Sequence, residues 1–189
     1  MTEQQPYRVL HTYPDFELRA YPAYLVAETT VTASFEDAGS RAFNALLQYI
    51  SGANRSQQKL AMTAPVIQGE RLAMTAPVIQ HSTSPETYTV AFVLPAHVNP
   101  DQAPTPTDER VALRQVPAGF AAVMRYSGRW SQSSYHQHVE RLQAALAAAG
   151  LRAISPPRFA RFDPPFKPWF LRRNEVVIDV ADPSEATEG

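Results

Sequence analysis

The chain has 189 residues, a formal net charge of −1 and a hydrophobic fraction of 44%, which is enough apolar material for one core. A balance of 17 basic and 18 acidic residues argues against a nucleic-acid-binding protein, which would carry a basic excess or stripe. The absence of cysteine excludes disulfides, thiolate metal ligation and a cysteine nucleophile. The first residues lack a secretory signal, and no stretch approaches the roughly 20 apolar residues of a membrane span. We therefore expect a soluble, cytoplasmic protein.

The first part of the chain predicts two strands and a helix. Residues 7–19 alternate weakly between apolar and polar side chains and are predicted to form one strand. Residues 23–32 are rich in β-branched and aromatic types, which favour a second strand. Ser34 is a good N-cap for a helix over Phe35–Ile50, where apolar residues recur at helical spacing. Gly52 is typical of the end of such a helix.

A short internal repeat follows the first helix. The sequence Leu-Ala-Met-Thr-Ala-Pro-Val-Ile-Gln occurs at 60–68 and again, unchanged, at 72–80. Two copies are too few for a solenoid, so we expect two extended segments joined by a turn at Gly69. Pro65 and Pro77 cannot donate a ladder hydrogen bond and are expected at edges, ends or bulges. Exposed edge-like segments accept other chains, so the repeat is a candidate for homo-oligomer formation.

The rest of the chain predicts a second set of strands around a second helix. The predicted strands are 87–94, 110–116, 120–126 and 174–180, and the predicted helix is 131–149, which ends at Gly150. The chain thus resembles two β-α-β halves. Two helices cannot cover a large sheet on both faces, so we predict an α+β fold with one curved antiparallel sheet or distorted β-barrel. We expect one domain over 1–181 and a disordered tail over 182–189.

Enzyme signatures are absent from the sequence. It has no Gly-x-Ser-x-Gly elbow, no phosphate loop and no His-Glu-x-x-His motif. His136 and His138 would point about 200° apart on a helix, two steps of roughly 100°, so they are poorly placed to share a metal. The sequence therefore favours a binding protein over an enzyme and identifies neither catalytic residues nor metal ligands.

An aromatic segment precedes the last strand. Residues 162–173 read Phe-Asp-Pro-Pro-Phe-Lys-Pro-Trp-Phe-Leu-Arg-Arg. Proline stiffens the backbone, and aromatic faces beside cations suit a flat apolar ligand that carries acidic groups. The alternative is an ordered loop that caps the sheet and whose aromatic rings belong to the core.

Several blocks occur in a fixed order along the chain and together carry a family resemblance. The blocks are 21–29, 49–54, 62–66, 126–128, 163–168 and 172–176. In this order, and with Met-Thr-Ala-Pro-Val doubled, they resemble the SOUL haem-binding protein family in its bacterial form. The resemblance runs from about residue 7 to residue 180.

The resemblance implies a fold, a ligand and a site. The fold is a distorted antiparallel β-barrel with two helices and internal two-fold pseudo-symmetry. The ligand is haem or another tetrapyrrole, held in an apolar cleft between the first helix and the loop before the last strand, by a carrier, buffer or sensor. The implied cleft residues are Arg41, Phe43, Leu46, Leu47, Phe162, Phe166, Lys167 and Trp169.

The chain also departs from the pattern of the family. Ser40 and Gln48 stand where haem binders of the family carry basic residues on the first helix, and Arg41 is the adjacent substitute for the first. Ala20 stands where one branch carries a histidine proposed as iron ligand. The resemblance therefore transfers no axial ligand to this chain.

Two other functions remain open on the sequence. The two-half architecture also resembles effector-binding domains of multidrug-responsive regulators, in which a buried glutamate pairs with cationic ligands. Glu28 or Glu175 would serve in that role. A hydrolase on the same scaffold is the remaining alternative, although nothing in the sequence assembles a nucleophile with a base.

Overall fold

The computed structural model describes residues 3–70 and 87–184. Its strands are β1 (Glu3–Gln4), β2 (Arg8–Thr12), β3 (Glu17–Tyr21), β4 (Tyr24–Thr32), β5 (Thr63–Glu70), β6 (Thr87–Val93), β7 (Ala112–Val116), β8 (Gly119–Tyr126), β9 (Arg158–Arg161) and β10 (Asn174–Val180). Its helices are α1 (Phe35–Ile50) and α2 (Gln132–Ala148), and two 3₁₀ turns cover Pro100–Gln102 and Trp169–Leu171. No helix among the described residues is long and apolar enough to cross a membrane.

One curved sheet organises the chain into two related halves. Its strand order is β2-β3-β8-β10-β9-β5-β6-β4-β7, and β1 pairs with β5 in parallel. The units β4-α1-β5-β6 and β8-α2-β9-β10 have the same internal order and meet where β5 pairs with β9. The strand that precedes each unit in the chain pairs with the first strand of the other unit. Thus β3, which precedes β4, pairs with β8, and β7, which precedes β8, pairs with β4. The predicted α+β fold with two pseudo-symmetric halves is confirmed, and across the described residues the sheet is open rather than a closed barrel.

The two faces of the sheet differ in what covers them. Helix α1 packs on β4 and β6, and α2 packs on β8 and β10, both on the face to which Phe159 and Val176 point. We call this the helix face. Because side chains alternate along a strand, the neighbouring Ala160 and Val177 point to the other side, the opposite face, where they form a separate apolar cluster.

Both helices begin at serine caps. The Ser34 hydroxyl accepts a hydrogen bond from the Asp37 N–H at 3.2 Å, and the Ser131 hydroxyl accepts one from the Ser134 N–H at 3.4 Å. Helix α1 has the predicted bounds. Past its end, Gly52 has a φ of +110°, a conformation that glycine adopts without strain.

Two sequence predictions about strands are wrong. Residues 7–19 form a hairpin, β2 and β3, rather than one strand, and the turn is closed by a hydrogen bond from the Tyr13 N–H to the Phe16 carbonyl. A strand that was not predicted, β9, precedes the aromatic segment 162–173 and holds the fully buried Phe159. Prolines on both sides and a length of four residues hid the period-two pattern of β9.

The repeat is placed differently from the prediction. Gly69 lies inside β5, paired with Thr89 and Arg158, and not in a turn. Strand β5 is a central strand between β6 and β9, so the first copy of the repeat is not an edge. Pro65 does lie at an irregularity in the ladder, as predicted. The second copy and Pro77 fall outside the described residues, as do 185–189 of the predicted tail, and homo-oligomer formation stays a prediction.

Candidate functional site

The segment 163–173 makes up all but the first residue of the loop between β9 and β10, and it is held in shape by its own polar groups. We call it the aromatic loop. The Asp163 carboxylate accepts hydrogen bonds from the Arg173 N–H and from the Lys167 ammonium, the latter at 2.6 Å. The Arg172 guanidinium donates to the carbonyls of Lys167, at 2.8 Å, and Pro165. These bonds use the polar groups inside the loop, so its conformation is fixed before any ligand arrives.

The apolar side chains of the aromatic loop point into solvent. Phe166 is 87% exposed, and Trp169, Phe170 and Leu171 are 49%, 58% and 57% exposed. Single exposed apolar residues are common, but several neighbouring ones on an ordered loop make that loop a candidate binding surface. The alternative from the sequence, in which these rings belong to the core, does not hold for these four side chains.

Lys167 is already ion-paired within the aromatic loop. Burial works to raise the pKa of Asp163, but the Arg173 N–H and the Lys167 charge outweigh it, and the pKa is lowered. The carboxylate is therefore charged at neutral pH and neutralises Lys167. A ligand anion at Lys167 would compete with Asp163.

The predicted residues on α1 lie in different surroundings. Leu46 is fully buried in the core, and the half-buried Phe43 packs edge-to-face against Phe92 with ring centroids 5.5 Å apart. Leu47 is 37% exposed, and the exposed Arg41 donates to the Thr32 carbonyl. The α1 side thus offers one exposed apolar side chain and one exposed cation rather than a set of four.

Phe162 lies on the opposite face of the sheet from the predicted residues on α1. Its ring packs against Ala121, Val123, Ala160 and Val177 on the opposite face. Of the predicted site residues, Phe166, Lys167 and Trp169 therefore share the aromatic loop. Phe43, Leu46 and Phe162 instead pack against other apolar residues.

The two glutamates considered for a cationic ligand are both paired with arginine. Glu175 is 1% exposed and receives hydrogen bonds from Arg19, at 3.0 and 3.2 Å, and from Arg173 at 2.7 Å. Glu28 lies 2.9 Å from a guanidinium nitrogen of Arg114. The cavity beside Glu175 has a volume of about 20 Å³, room for one water molecule. In this conformation neither carboxylate is available to a cationic ligand.

A larger cavity lies on the helix face beside α2. It measures about 320 Å³, and its lining includes Phe35, Tyr135, His136, Val139 and Pro156. Among the described lining residues His136 alone carries an imidazole, and the described part of the chain contains no group of three or more potential metal ligands. This cavity is one competing location for a flat ligand, and it differs from the aromatic loop in having an imidazole. A second cavity, of about 340 Å³, is lined by Pro22 and His97 among others.

Comparison with known families shows to which family the chain belongs. A family model described as SOUL heme-binding protein matches residues 2–179. The chain belongs to this family. A curated relative, Heme-binding protein 1 of Xenopus tropicalis, is 26% identical over 162 residues, which cover 85% of this chain and 81% of that protein. The resemblance predicted from the sequence blocks is confirmed.

Solved structures share the fold of this SOUL family member at low identity. The C-terminal domain of EcmrR matches with a TM-score of 0.64 and 12% identity, covering 93% of this chain and 98% of that one. A structure described as a hydrolase from Listeria innocua matches with a TM-score of 0.61 and 12% identity, covering 91% and 94%. At these identities the likeness shows the fold alone.

Two of the SOUL sequence blocks, 126–128 (Tyr-Ser-Gly) and 172–176 (which contains Arg-Asn-Glu-Val), meet beside the aromatic loop. Asn174, from the Arg-Asn-Glu-Val block, is fully buried and donates to the carbonyl of Gly128, which ends the Tyr-Ser-Gly block. The same amide accepts a hydrogen bond from the Trp130 ring N–H at 2.9 Å. The two blocks therefore fix one structural unit, which sets the position of Trp130.

Arg129 is a candidate site residue that sequence reasoning missed. Its exposed guanidinium lies over the Trp169 ring, 5.5 Å from the ring centroid, within range of a cation–π contact. The contact joins the connection after β8 to the aromatic loop, and the pairing of Asn174 with Tyr126 brings the two segments together, so no local sequence pattern predicts it. Phe170 and Leu171, by contrast, are neighbours of Trp169, and the sequence pattern already pointed to their segment.

Proposed function

We propose that this SOUL family member binds haem or a closely related tetrapyrrole on the exposed surface of the aromatic loop. The observation that carries the proposal is the exposure of Phe166, Trp169, Phe170 and Leu171 on a loop whose polar groups are bonded internally. A flat apolar plate that stacks on these rings removes them from water. The membership in a haem-binding family and the name of the Xenopus relative support the choice of ligand.

The ordered state of the aromatic loop favours binding. Stacking on aromatic rings contributes about 0.5–1.5 kcal/mol per ring beyond the burial of apolar area. A mobile loop would lose part of this on ordering, but the Asp163 and Arg172 hydrogen bonds already hold this one in place. The loop therefore acts as a preformed platform.

The role that suits such a site is a carrier or buffer. A ligand on an exposed loop keeps one face in solvent, which favours exchange with other proteins over permanent retention. The aromatic loop contains no histidine, so recognition rests on the plate and its substituents rather than on iron. We therefore expect metal-free protoporphyrin IX and hemin to bind with similar affinities.

Titration of the purified protein with hemin and with protoporphyrin IX tests the proposal. We expect saturable one-to-one binding in the Soret band, and Phe166→Ser should raise the dissociation constant about tenfold, since roughly 1.4 kcal/mol of contact is lost. Ile154→Ser is the matched control, because Ile154 is 57% exposed and lies outside the aromatic loop. That variant should leave both affinities unchanged.

A second variant separates the aromatic loop from the cavity on the helix face. If His136→Ala abolishes hemin binding while Phe166→Ser has no effect, the ligand occupies the cavity and the proposal is wrong. The proposal is also wrong if neither hemin nor protoporphyrin IX shows saturable binding. Loss of affinity with Phe166→Ser and none with His136→Ala supports the platform.

A further inference from the structure

The indole of Trp130 is fixed beside the aromatic loop by buried hydrogen bonds. Its ring N–H donates to Asn174, whose side chain is fully buried and donates in turn to the Gly128 carbonyl. The ring therefore has one orientation in the folded protein. Its face is a defined surface on which other groups are arranged.

Three guanidinium groups gather around the two tryptophans. Arg172 lies 4.3 Å and Arg161 lies 4.8 Å from the centroid of the Trp130 ring. Arg129, adjacent in sequence to Trp130, lies 5.5 Å from the centroid of Trp169. Arg161 is only 7% exposed, so this cluster extends from solvent at Arg129 into the interior.

None of these three arginines has a carboxylate partner in the described part of the chain. Arg161 donates to the Gln68 side-chain oxygen at 2.8 Å and weakly to the Phe35 carbonyl, and its Nε is buried without an acceptor. Arg172 donates only to backbone carbonyls of the aromatic loop. Arg129 makes no hydrogen bond or ion pair with the described residues.

Nearby charges show that this lack of partners is local. Lys167 is paired with Asp163, and Arg173 is paired with Glu175. The Glu36 carboxylate, whose charge reaches Arg161, accepts a hydrogen bond from the Gln132 N–H at the start of α2. Burial, with a smaller contribution from the charge of Arg172, lowers the pKa of Arg161 to about 10. Positive charge is thus concentrated beside the platform, and among the described carboxylates only the charge of Glu36 offsets part of it, at Arg161.

Such a cluster is stabilised by an anion. Like charges close together are unfavourable unless an opposite charge enters, and arginine favours carboxylates because its planar guanidinium donates two parallel hydrogen bonds. We propose that Arg129 and Arg172 bind the carboxylates of a ligand whose apolar plate lies on the aromatic loop. This inference rests on the proposed function and adds that the ligand is recognised through its acidic side chains, at residues other than Lys167.

A pair of metal-free porphyrins tests the inference. Protoporphyrin IX and its dimethyl ester present the same plate, but only the first carries carboxylates. With both dissolved at one detergent concentration, the wild-type protein should bind the diacid at least about tenfold more tightly, as expected for one charge-assisted hydrogen-bonded pair. Arg129→Ala should reduce that preference to less than about threefold by weakening binding of the diacid alone.

Arg125→Ala is the matched control, because Arg125 on β8 is exposed as Arg129 is, and its loss changes the net charge equally. We expect it to keep the full preference for the diacid. Arg129→Lys, which retains the charge but not the planar geometry, should restore only part of the preference.

The outcomes separate the inference from the proposed function. If wild type binds acid and ester equally well while Phe166→Ser weakens both, the platform stands and carboxylate recognition by the arginines is wrong. Equal effects of Arg125→Ala and Arg129→Ala would likewise overturn the inference, because they would reduce it to general charge attraction. If neither these porphyrins nor hemin binds, the proposed function fails, and the inference fails with it.

Discussion

Arg19 and Arg161, the two arginines that are buried in the described part of the chain, differ in how their charges are satisfied. Arg19 lies on the opposite face of the sheet and contacts both carboxylate oxygens of Glu175 as well as Glu17. Arg161 lies on the helix face, where its partners are neutral oxygens and the rings of Phe35, Phe159 and Trp130. Both are more than nine-tenths buried.

The difference separates a structural network from a ligand-directed cluster. Burial works to lower the pKa of Arg19, but Glu175 outweighs it and the pKa is raised. At Arg161 burial prevails and the pKa is lowered. A buried cation with its own carboxylate is part of the architecture, whereas one without it, beside an exposed aromatic loop, leaves room for an external anion.

The largest effect is expected from breaking the compensated network. Glu175→Gln removes the charge that Arg19 and Arg173 share. It leaves Arg19 with the partly exposed Glu17 and leaves Arg173 without a carboxylate partner among the described residues. We expect a loss of about 3–5 kcal/mol in the free energy of unfolding, the range for a buried pair that loses one partner. Urea denaturation followed by far-UV circular dichroism measures it.

The control for this prediction is an exposed pair. Asp15→Asn breaks the contact with Arg141, in which both side chains are more than half exposed, and it should change stability by less than about 1 kcal/mol. If Glu175→Gln destabilises the protein no more than Asp15→Asn does, the network on the opposite face has no structural role and the comparison between the two arginines fails.

A local effect is expected from protonation of Asp163, which compensates Lys167 as Glu175 compensates Arg19. Because its pKa is lowered in the folded protein, the stability that it contributes is present above its ordinary value of 3.8 and is lost as pH falls through the folded-state pKa. We expect the emission of Trp169, measured in a Trp130→Phe background, to shift in that acidic window. Asp163→Asn should show the shifted emission at neutral pH and no acid transition. A wild-type transition that survives in Asp163→Asn would assign it to another group.

The parts of the fold that the sequence predicts are those with local causes. Helix α1 has its predicted bounds because the Ser34 cap and the apolar period are both local. Strand β9 was missed because it is four residues long and because Arg161, a charged residue, points into the helix face. The turn predicted at Gly69 is wrong, because β5 continues through that glycine between β6 and β9. The identity of the two repeats does not indicate with which strands they pair.

The candidate site divides in the same way. Phe166, Lys167 and Trp169 lie in one contiguous segment, so composition alone directs attention to them. Phe162 packs on the opposite face because the alternation of side chains along β9 continues past its end. Since β9 was not predicted, this placement could not be predicted either. Arg129 and Trp130 reach the aromatic loop only through the pairing of β8 with β10, a long-range contact.

A smaller effect is expected from Gly39, where α1 meets Arg161. A Cβ at this position would lie 2.6 Å from Nη1 of Arg161, closer than a side chain allows. Gly to Ala inside a helix normally stabilises by about 1 kcal/mol, but here we expect a net loss of about 1 kcal/mol because the guanidinium must move off Gln68. Thermal unfolding measures it, and Ser40→Ala on the exposed side of the same helix is the control, with a small gain expected. A clear gain for Gly39→Ala would show that Arg161 is free to move.

The smallest effect on stability is expected from removing the uncompensated charge itself. Arg161→Met replaces a buried cation by an apolar side chain of similar length, which ends the penalty of burying the charge while it removes the hydrogen bond to Gln68. These terms oppose each other, so the free energy of unfolding should change by less than about half of the loss caused by Arg19→Met, which strands Glu175. Urea denaturation of the two variants side by side gives the ratio. Equal losses would mean that Arg161 is as structural as Arg19, and its lack of a carboxylate would then carry no information about a ligand.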